Sequence, residues 1–304
     1  MPNGGEGLWR SLNGRVFWST HMASDEPPYD ANNPLWRGGQ PCAEPDNLTD
    51  AFTREAEDFI VRHRGQPWFL YLAYNAVHSP MQASVEWFER HADIADPHRR
   101  LFAAMLGHLD HSIGRLLDLL ERKGLADRTL VMVVSDNGGP TRELTSSNRP
   151  FRGGKGEMYE GGIRVPMWVK WPGVATPGTV ERRVVSTLDW TPTALDAAGV
   201  SVPEGLDGFS LLPYFRDEHA EPRRSRLFWR CQGQAAVREG RRKLIRPRPD
   251  APWELYDLER DPSEMDDMAG RERGTAGRLT AAWSEWARGL PTPAGSAGAM
   301  GGEP

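Results

Sequence analysis

The chain has 304 residues, 38% of them hydrophobic and 26% charged, and its 37 Lys and Arg against 42 Asp and Glu give a net charge of −5. That composition suits a globular chain with one large domain, or a domain with an appendage. It carries no long basic run that would point to nucleic acid and no apolar stretch approaching the ~18 residues of a membrane span.

Residues 1–14 contain no apolar run of the kind a signal peptide needs, so the sequence gives no compartment. Cys42 and Cys231 lie far apart and read as free thiols, not as a disulfide framework. Residues 1–47 are dense in Gly, Pro, Asn and Trp without periodicity and are expected to be mostly loop. A helix follows, with Leu48, Phe52, Ala56, Phe59 and Ile60 on one face and Thr49 as its N-cap. The apolar run Trp68–Leu72 predicts a strand buried on both faces.

The spacing of Leu101, Met105, Leu109, Ile113, Leu116, Leu117 and Leu120 predicts a long helix over 98–123, ended by Gly124. Leu130–Val134 is a second expected buried strand. This alternation predicts an α/β fold, a mostly parallel sheet flanked by helices. Ligands of such sheets gather in the loops after the C-terminal strand ends. Met167–Trp171 is expected to be a further strand, and a helix opens at Thr191-Pro192 and closes at Gly199.

From about residue 222 the pattern changes. Short strands at Leu227–Arg230, Ala235–Arg238 and Arg242–Arg246, then a helix carrying Trp283 and Trp286, predict a small C-terminal α+β subdomain. The expected organisation is a loop-rich segment 1–47, an α/β domain 48–221, a subdomain 222–290 and a disordered tail 291–304.

Three segments carry chemistry. Ser135-Asp136-Asn137-Gly138-Gly139 follows the strand ending at Val134. Asp136 and Asn137 offer a carboxylate and an amide oxygen, hard ligands suited to Ca²⁺ or Mg²⁺. The same residues also suit a plain Asx turn. Phe151-Arg152-Gly153-Gly154-Lys155-Gly156-Glu157, continuing to Glu160-Gly161-Gly162-Ile163-Arg164-Val165-Pro166, surrounds one lysine with glycines. An anion could approach both the ammonium and the backbone N–H groups there, and the alternative is a flexible surface loop. It is not a Walker loop, because Gly156 follows the lysine. Third, His78 in Tyr74-Asn75-Ala76-Val77-His78-Ser79-Pro80 sits near an expected strand end, where an imidazole could bind an anion or protonate a leaving oxygen. A loop histidine by itself is also commonly structural. His108 and His111 on the long helix read as solvated or helix-packing residues.

Together, in order and wording, these motifs resemble the type I sulfatase family of the alkaline-phosphatase-like superfamily. The likeness runs from about Thr49 to Met268. Its lesser matches are Asp189-Trp190-Thr191-Pro192-Thr193, Leu206-Asp207-Gly208, and Glu254–Leu258 with Asp261-Pro262. The resemblance implies a sulfuric ester hydrolase of arylsulfatase type. Asp136 and Asn137 would be two ligands of a Ca²⁺, while Lys155 and His78 would contact the sulfate group as catalytic and substrate-binding residues. Arg164 would be structural. The substrate would be a sulfate ester, aryl or glycan, with no nucleic-acid or membrane partner. Family members are often periplasmic, secreted or lysosomal.

Three elements of the family's pattern are missing, among them a Lys-x-His segment between nucleophile and substrate. The family's nucleophile is a formylglycine made from Cys or Ser in a C/S-x-P/A-x-R motif, and neither Cys42, Cys231 nor any serine begins one. The paired aspartates that supply the other calcium ligands are absent too. The expectation is a C-terminal portion of a sulfatase without its nucleophile. The alternatives are an inactive binding module and a phosphoesterase or phosphonate hydrolase of the same superfamily. Asp136-Asn137 without a companion histidine favours one hard cation, and hence sulfate, over a two-metal phosphatase site. A sheet without its central strand would expose edges that promote self-association.

Overall fold

The computed structural model describes residues 8–10, 15–18, 35–44, 46–79, 81–141, 145–217 and 219–291. The tail expected to be disordered lies, from residue 292, outside them. The chain divides into two compact units. The first is Met1–Val133, Pro140–Ser147 and Val169–Pro177; the second is Val134–Gly139, Asn148–Trp168 and Gly178–Pro304.

In the first unit, Leu8–Arg10 (β1) and Arg15–Trp18 (β2) pair antiparallel, and Leu35–Arg37 (β3) pairs antiparallel with Gln40–Cys42 (β4). Gly38 and Gly39, at φ +57 and +80, make the turn between β3 and β4. Two positive φ values in a row are what a tight hairpin turn needs, and glycine supplies them without strain. The segment expected to be mostly loop therefore carries four strands, and Gly38-Gly39 is the signal that would have found one hairpin. Cys42 and Cys231 are free thiols, as expected.

Helix α1 spans Leu48–His63. Its cap is Asn47, two residues before the expected Thr49: the Asn47 Oδ1 accepts from the Thr49 N–H at 2.9 Å. Met81–Ser84 (β5) pairs antiparallel with β2 and leads into Val85–Glu89 (α2), capped by the Ser84 hydroxyl. The long helix α3 spans Pro97–Arg122, with Asp96 accepting from the Arg99 N–H and Pro97 in its first turn. Gly124 follows at φ +64. One end of α3 packs Leu101, Ala104 and Met105 against Met81, Ala83 and Phe88. Its other end packs Leu119 and Leu120 against Ile60, Leu125 and Ala126. Each of the leucine, isoleucine, methionine and phenylalanine side chains among them contributes about 1.5–3 kcal/mol by burial.

The expected strand Trp68–Leu72 joins no ladder among the described residues. Trp68 and Leu70 face the cluster around Ile60, whereas Phe69 and Tyr71 are 73% and 75% exposed. It is thus covered on one face only. Val131–Val134 (β6) and Met167–Lys170 (β7) form a two-stranded sheet. The four residues of β6 are half-buried, not fully buried as expected.

In the second unit, Glu160–Ile163 (α4) is a single turn, and Trp190–Ala197 (α5) follows a 3₁₀ turn at Thr187–Asp189. Two sequence motifs meet here. Buried Asp189 accepts from the Ser186 N–H and the Phe209 N–H and pairs with Arg224. The Thr193 hydroxyl accepts from the Leu211 N–H at 2.9 Å. Gly208 lies so close that a Cβ on it would sit 1.9 Å from the Leu188 carbonyl oxygen. These motifs hold the fold together. Leu212–Arg216 (α6) leads to an antiparallel sheet of Arg226–Cys231 (β8), Gln234–Glu239 (β9), Arg242–Arg246 (β10) and Glu254–Asp257 (β11), in spatial order β11-β10-β9-β8. Helix Arg273–Arg288 (α7) seats Leu279 against Val237, Leu244 and Leu255.

Candidate active site

Asp136, Asn137 and Lys155 belong to the second unit, and His78 to the first. In the second unit the segments that carry Asp136 and Lys155 are knitted together through backbone. The Gly138 N–H donates to the Gly162 carbonyl at 2.9 Å, and the Gly161 N–H to the Arg152 carbonyl at 2.7 Å. Asn148 bridges them further: its Oδ1 accepts from the Gly139 N–H, and its Nδ2 donates to the Gly139 and Gly153 carbonyls.

Contact this close leaves no room for side chains. A Cβ on Gly138 would lie 1.7 Å from the Gly161 carbonyl oxygen, and one on Gly162 would lie 2.0 Å from the Glu157 carbonyl oxygen. The glycines around Lys155 were expected to open backbone N–H groups to an anion. Gly154, Gly161 and Gly162 are instead occupied in the clasp. The Gly154 N–H donates to Glu157 Oε2 at 2.9 Å.

Within this clasp Asp136 is exposed and Asn137 half-buried. Asp136 Oδ1 accepts from the Asn137 N–H, and the Asn137 Nδ2 donates to the Gly138 carbonyl. The Ser135 hydroxyl donates to the Asn137 carbonyl at 2.9 Å. These bonds hold the loop and leave Asp136 Oδ2 and Asn137 Oδ1 outside them. The plain Asx turn is not formed: Asp136 Oδ1 takes the N–H of the next residue, Asn137, while the Gly138 N–H goes to the Gly162 carbonyl and the Gly139 N–H to Asn148. Lys155 is exposed, next to Gly156 at φ +87, and the Gln234 amide of β9 donates to the Gly156 carbonyl at 2.5 Å.

His78 is exposed in a tight turn, its N–H bonded to the Asn75 carbonyl at 2.8 Å. Its Nδ1 lies 2.7 Å from the Ser79 carbonyl. A carbonyl only accepts, so Nδ1 carries the proton in that contact. His108, by contrast, is a packing residue: it is buried, stacked on Trp87 at 5.1 Å, with Nε2 3.0 Å from Asp50 Oδ1.

Sequence reasoning missed a buried charge cluster behind the clasp. Lys243 of β10 is fully buried, its Nζ 2.9 Å from both Glu160 Oε1 and Glu264 Oε1. Glu264 Oε2 accepts from the Glu160 N–H at 2.6 Å. Burial pushes the Glu264 carboxyl above its ordinary range, against the pull of Lys243. Arg238 and Arg164 approach Glu160 Oε2 at 3.7 and 3.8 Å. The Arg164 guanidinium also lies over the Phe151 ring. Arg152 stacks over Tyr159 at 3.9 Å and donates to the Tyr256 hydroxyl and the Glu264 carbonyl. Burial and the nearby Glu254 push both tyrosine hydroxyls up.

Among the described residues no three His, Cys, Asp or Glu side chains gather as a metal cage, and no helix is long and apolar enough to cross a membrane. The structure of Ps i-CgsB in complex with k-i-k-neocarrahexaose is similar at TM-score 0.77 and 33% identity, covering 83% of this chain and 57% of that one. This is the α/β fold of the alkaline-phosphatase-like class.

A family model described as Sulfatase matches residues 7–200, and one described as N-sulphoglucosamine sulphohydrolase, C-terminal, matches residues 154–277. Arylsulfatase J of Mus musculus is 34% identical over 238 residues, covering 73% of this chain and 38% of that protein. A sulfatase of Formosa agariphila is 32% identical over 278 residues, covering 80% of this chain and 49% of that protein. The chain belongs to the sulfatase family, a family of sulfuric ester hydrolases that are generally metal-dependent. It spans less than half the length of these two relatives.

Proposed function

We propose that the whole protein hydrolyses sulfate esters, and that this chain supplies the part of the site that holds the sulfate group. The observation that carries the reading is the clasp, which joins the Asp136-Asn137 turn to the Lys155 loop in a chain of the sulfatase family. Lys155 is a compact cation suited to a tetrahedral oxyanion. His78, with its proton on Nδ1 toward Ser79, is the group for the leaving oxygen.

Asp136 Oδ2 and Asn137 Oδ1 fit a hard divalent cation, and Ca²⁺ is the ion we assign to them. Such an ion would neutralise charge on the sulfate oxygens. Two donors are part of a shell that needs about 6–8 oxygens, so this chain alone should bind Ca²⁺ weakly. Calorimetric titration showing tight, stoichiometric binding would contradict that. Similarity to a protein solved with k-i-k-neocarrahexaose favours a sulfated saccharide as substrate.

No Cys or Ser of this chain begins the motif from which the family's nucleophile is made. Anion and metal contacts orient an ester, but covalent catalysis needs an attacking group, which the whole protein must supply. The missing motif favours a second reading, a binding module without turnover. The test is sulfate release by the complete gene product from sulfated oligosaccharides and from an aryl sulfate. Release that falls by roughly 100-fold in Lys155→Ala and in Asp136→Ala is the expected result. Binding without release would establish the second reading, and faster hydrolysis of phosphate or phosphonate esters would overturn both.

A further inference from the structure

We infer that Lys243 is a positioning residue, acting through Glu160 to set the clasp that presents Asp136 and Asn137. The inference rests on the proposed function for its meaning, but its test reads the clasp itself.

A lysine in the interior of a sheet needs a strong reason, because an ammonium taken from water costs several kcal/mol unless it is paired. Lys243 is the second residue of β10, between Arg238 of β9 and Tyr256 of β11. Its two partners are the buried carboxylates of Glu160 and Glu264. Glu160 is the first residue of the turn that carries Gly161 and Gly162. Glu264 grips the same turn from the other end of the residue, accepting the Glu160 N–H, from a backbone held at φ +55. One ammonium and one carboxylate thus fix both the side chain and the amide of Glu160.

The next two residues are the ones whose carbonyls face Gly138. The Gly162 carbonyl takes the Gly138 N–H, and the Gly161 carbonyl occupies the space where a Gly138 Cβ would be. Gly138 directly follows Asp136-Asn137, and the Asn137 Nδ2 donates to its carbonyl. The path is Lys243 to Glu160, Glu160 to Gly161-Gly162, and Gly162 to Gly138. Every step is a hydrogen bond, an ion pair or a peptide bond within the second unit. The neighbouring Arg242 takes no part. It pairs with Asp257 and Glu272 instead. The strand therefore carries its own control one residue away.

The test is amide hydrogen exchange on the 304-residue chain, comparing Lys243→Met, Glu264→Gln and Arg242→Met with the parent. The expected result for Lys243→Met is exchange at Gly138 and Gly161 faster by roughly 100-fold than any change in the ladder amides of β9 and β10. Glu264→Gln keeps an acceptor for the Glu160 N–H and should give the same pattern at roughly tenfold. It also serves if Lys243→Met does not fold. Arg242→Met should leave Gly138 unchanged relative to the ladder. Uniform acceleration of clasp and ladder amides in Lys243→Met and Glu264→Gln would mean a purely structural role and would overturn the inference. So would a Gly138 response to Arg242→Met equal to theirs. Sulfate release is not read in this experiment, so the failure of the proposed hydrolysis would appear separately.

Discussion

The clasp in the second unit and the Trp68–Leu72 segment in the first are made of equally motif-like sequence, yet they have opposite physical states. In the clasp, backbone groups of different segments satisfy one another, Gly138 with Gly162 and Arg152 with Gly161, and the Asn148 side chain takes up the Gly139 and Gly153 carbonyls. Around Trp68–Leu72 one face is packed, the other carries exposed Phe69 and Tyr71, and the backbone joins no ladder among the described residues. The lesson is that the chain satisfies the backbone of one motif within itself and leaves an apolar face of another exposed. Buried polar groups must be paired where they are formed, whereas a segment with an apolar outer face can be completed from outside.

The sharpest way to break this comparison is Gly138→Ala. Its Cβ would overlap the Gly161 carbonyl oxygen, and backbone on both sides must move. We expect a loss of about 3 kcal/mol, read as a lowered unfolding midpoint. A variant as stable as the parent would show that the clasp is not tight.

The next effect is on association, not on folding. Phe69→Ser and Tyr71→Ser remove exposed apolar surface and should change stability by less than about 0.5 kcal/mol. We propose that the parent self-associates through this segment, so the double variant should elute later in size-exclusion chromatography. A parent that is already a monodisperse monomer would refute the proposal.

The smallest effect lies on the rim of the C-terminal sheet. The Arg278 hydrogen bond, supported by Arg226, holds the Glu239 carboxyl down at about 2. A depressed carboxylate stabilises fully above its ordinary value of 4.5 and loses that contribution as pH falls toward 2. Glu239→Gln should therefore cost about 0.5–1 kcal/mol at neutral pH, the range of a partly exposed pair. The difference should vanish in thermal melts near pH 2; one that persists there would contradict the assignment.

The contrast between the two regions also explains what could be read from the sequence. Helix α3 was legible in its stripe and its closing Gly124, because both are local properties. The motif glycines were legible as special, but not their purpose. Openness to an anion and close backbone packing both call for glycine, and only the three-dimensional partner decides between them. Lys243 was not legible at all. Inside Arg242–Arg246 a lysine reads as a solvated position, and its burial depends on two glutamates distant in sequence. The Trp68–Leu72 run announced apolar packing on both faces, yet a run of residues cannot say whether both faces will be covered within its own chain.

We propose that this chain carries the binding part of a sulfatase site without the attacking group. The direct measurement is turnover of a chromogenic aryl sulfate by the purified 304-residue chain, beside Lys155→Ala. The account predicts no turnover from either protein. Turnover by the parent that disappears in Lys155→Ala would contradict it, because a nucleophile would then be present among residues assigned other roles.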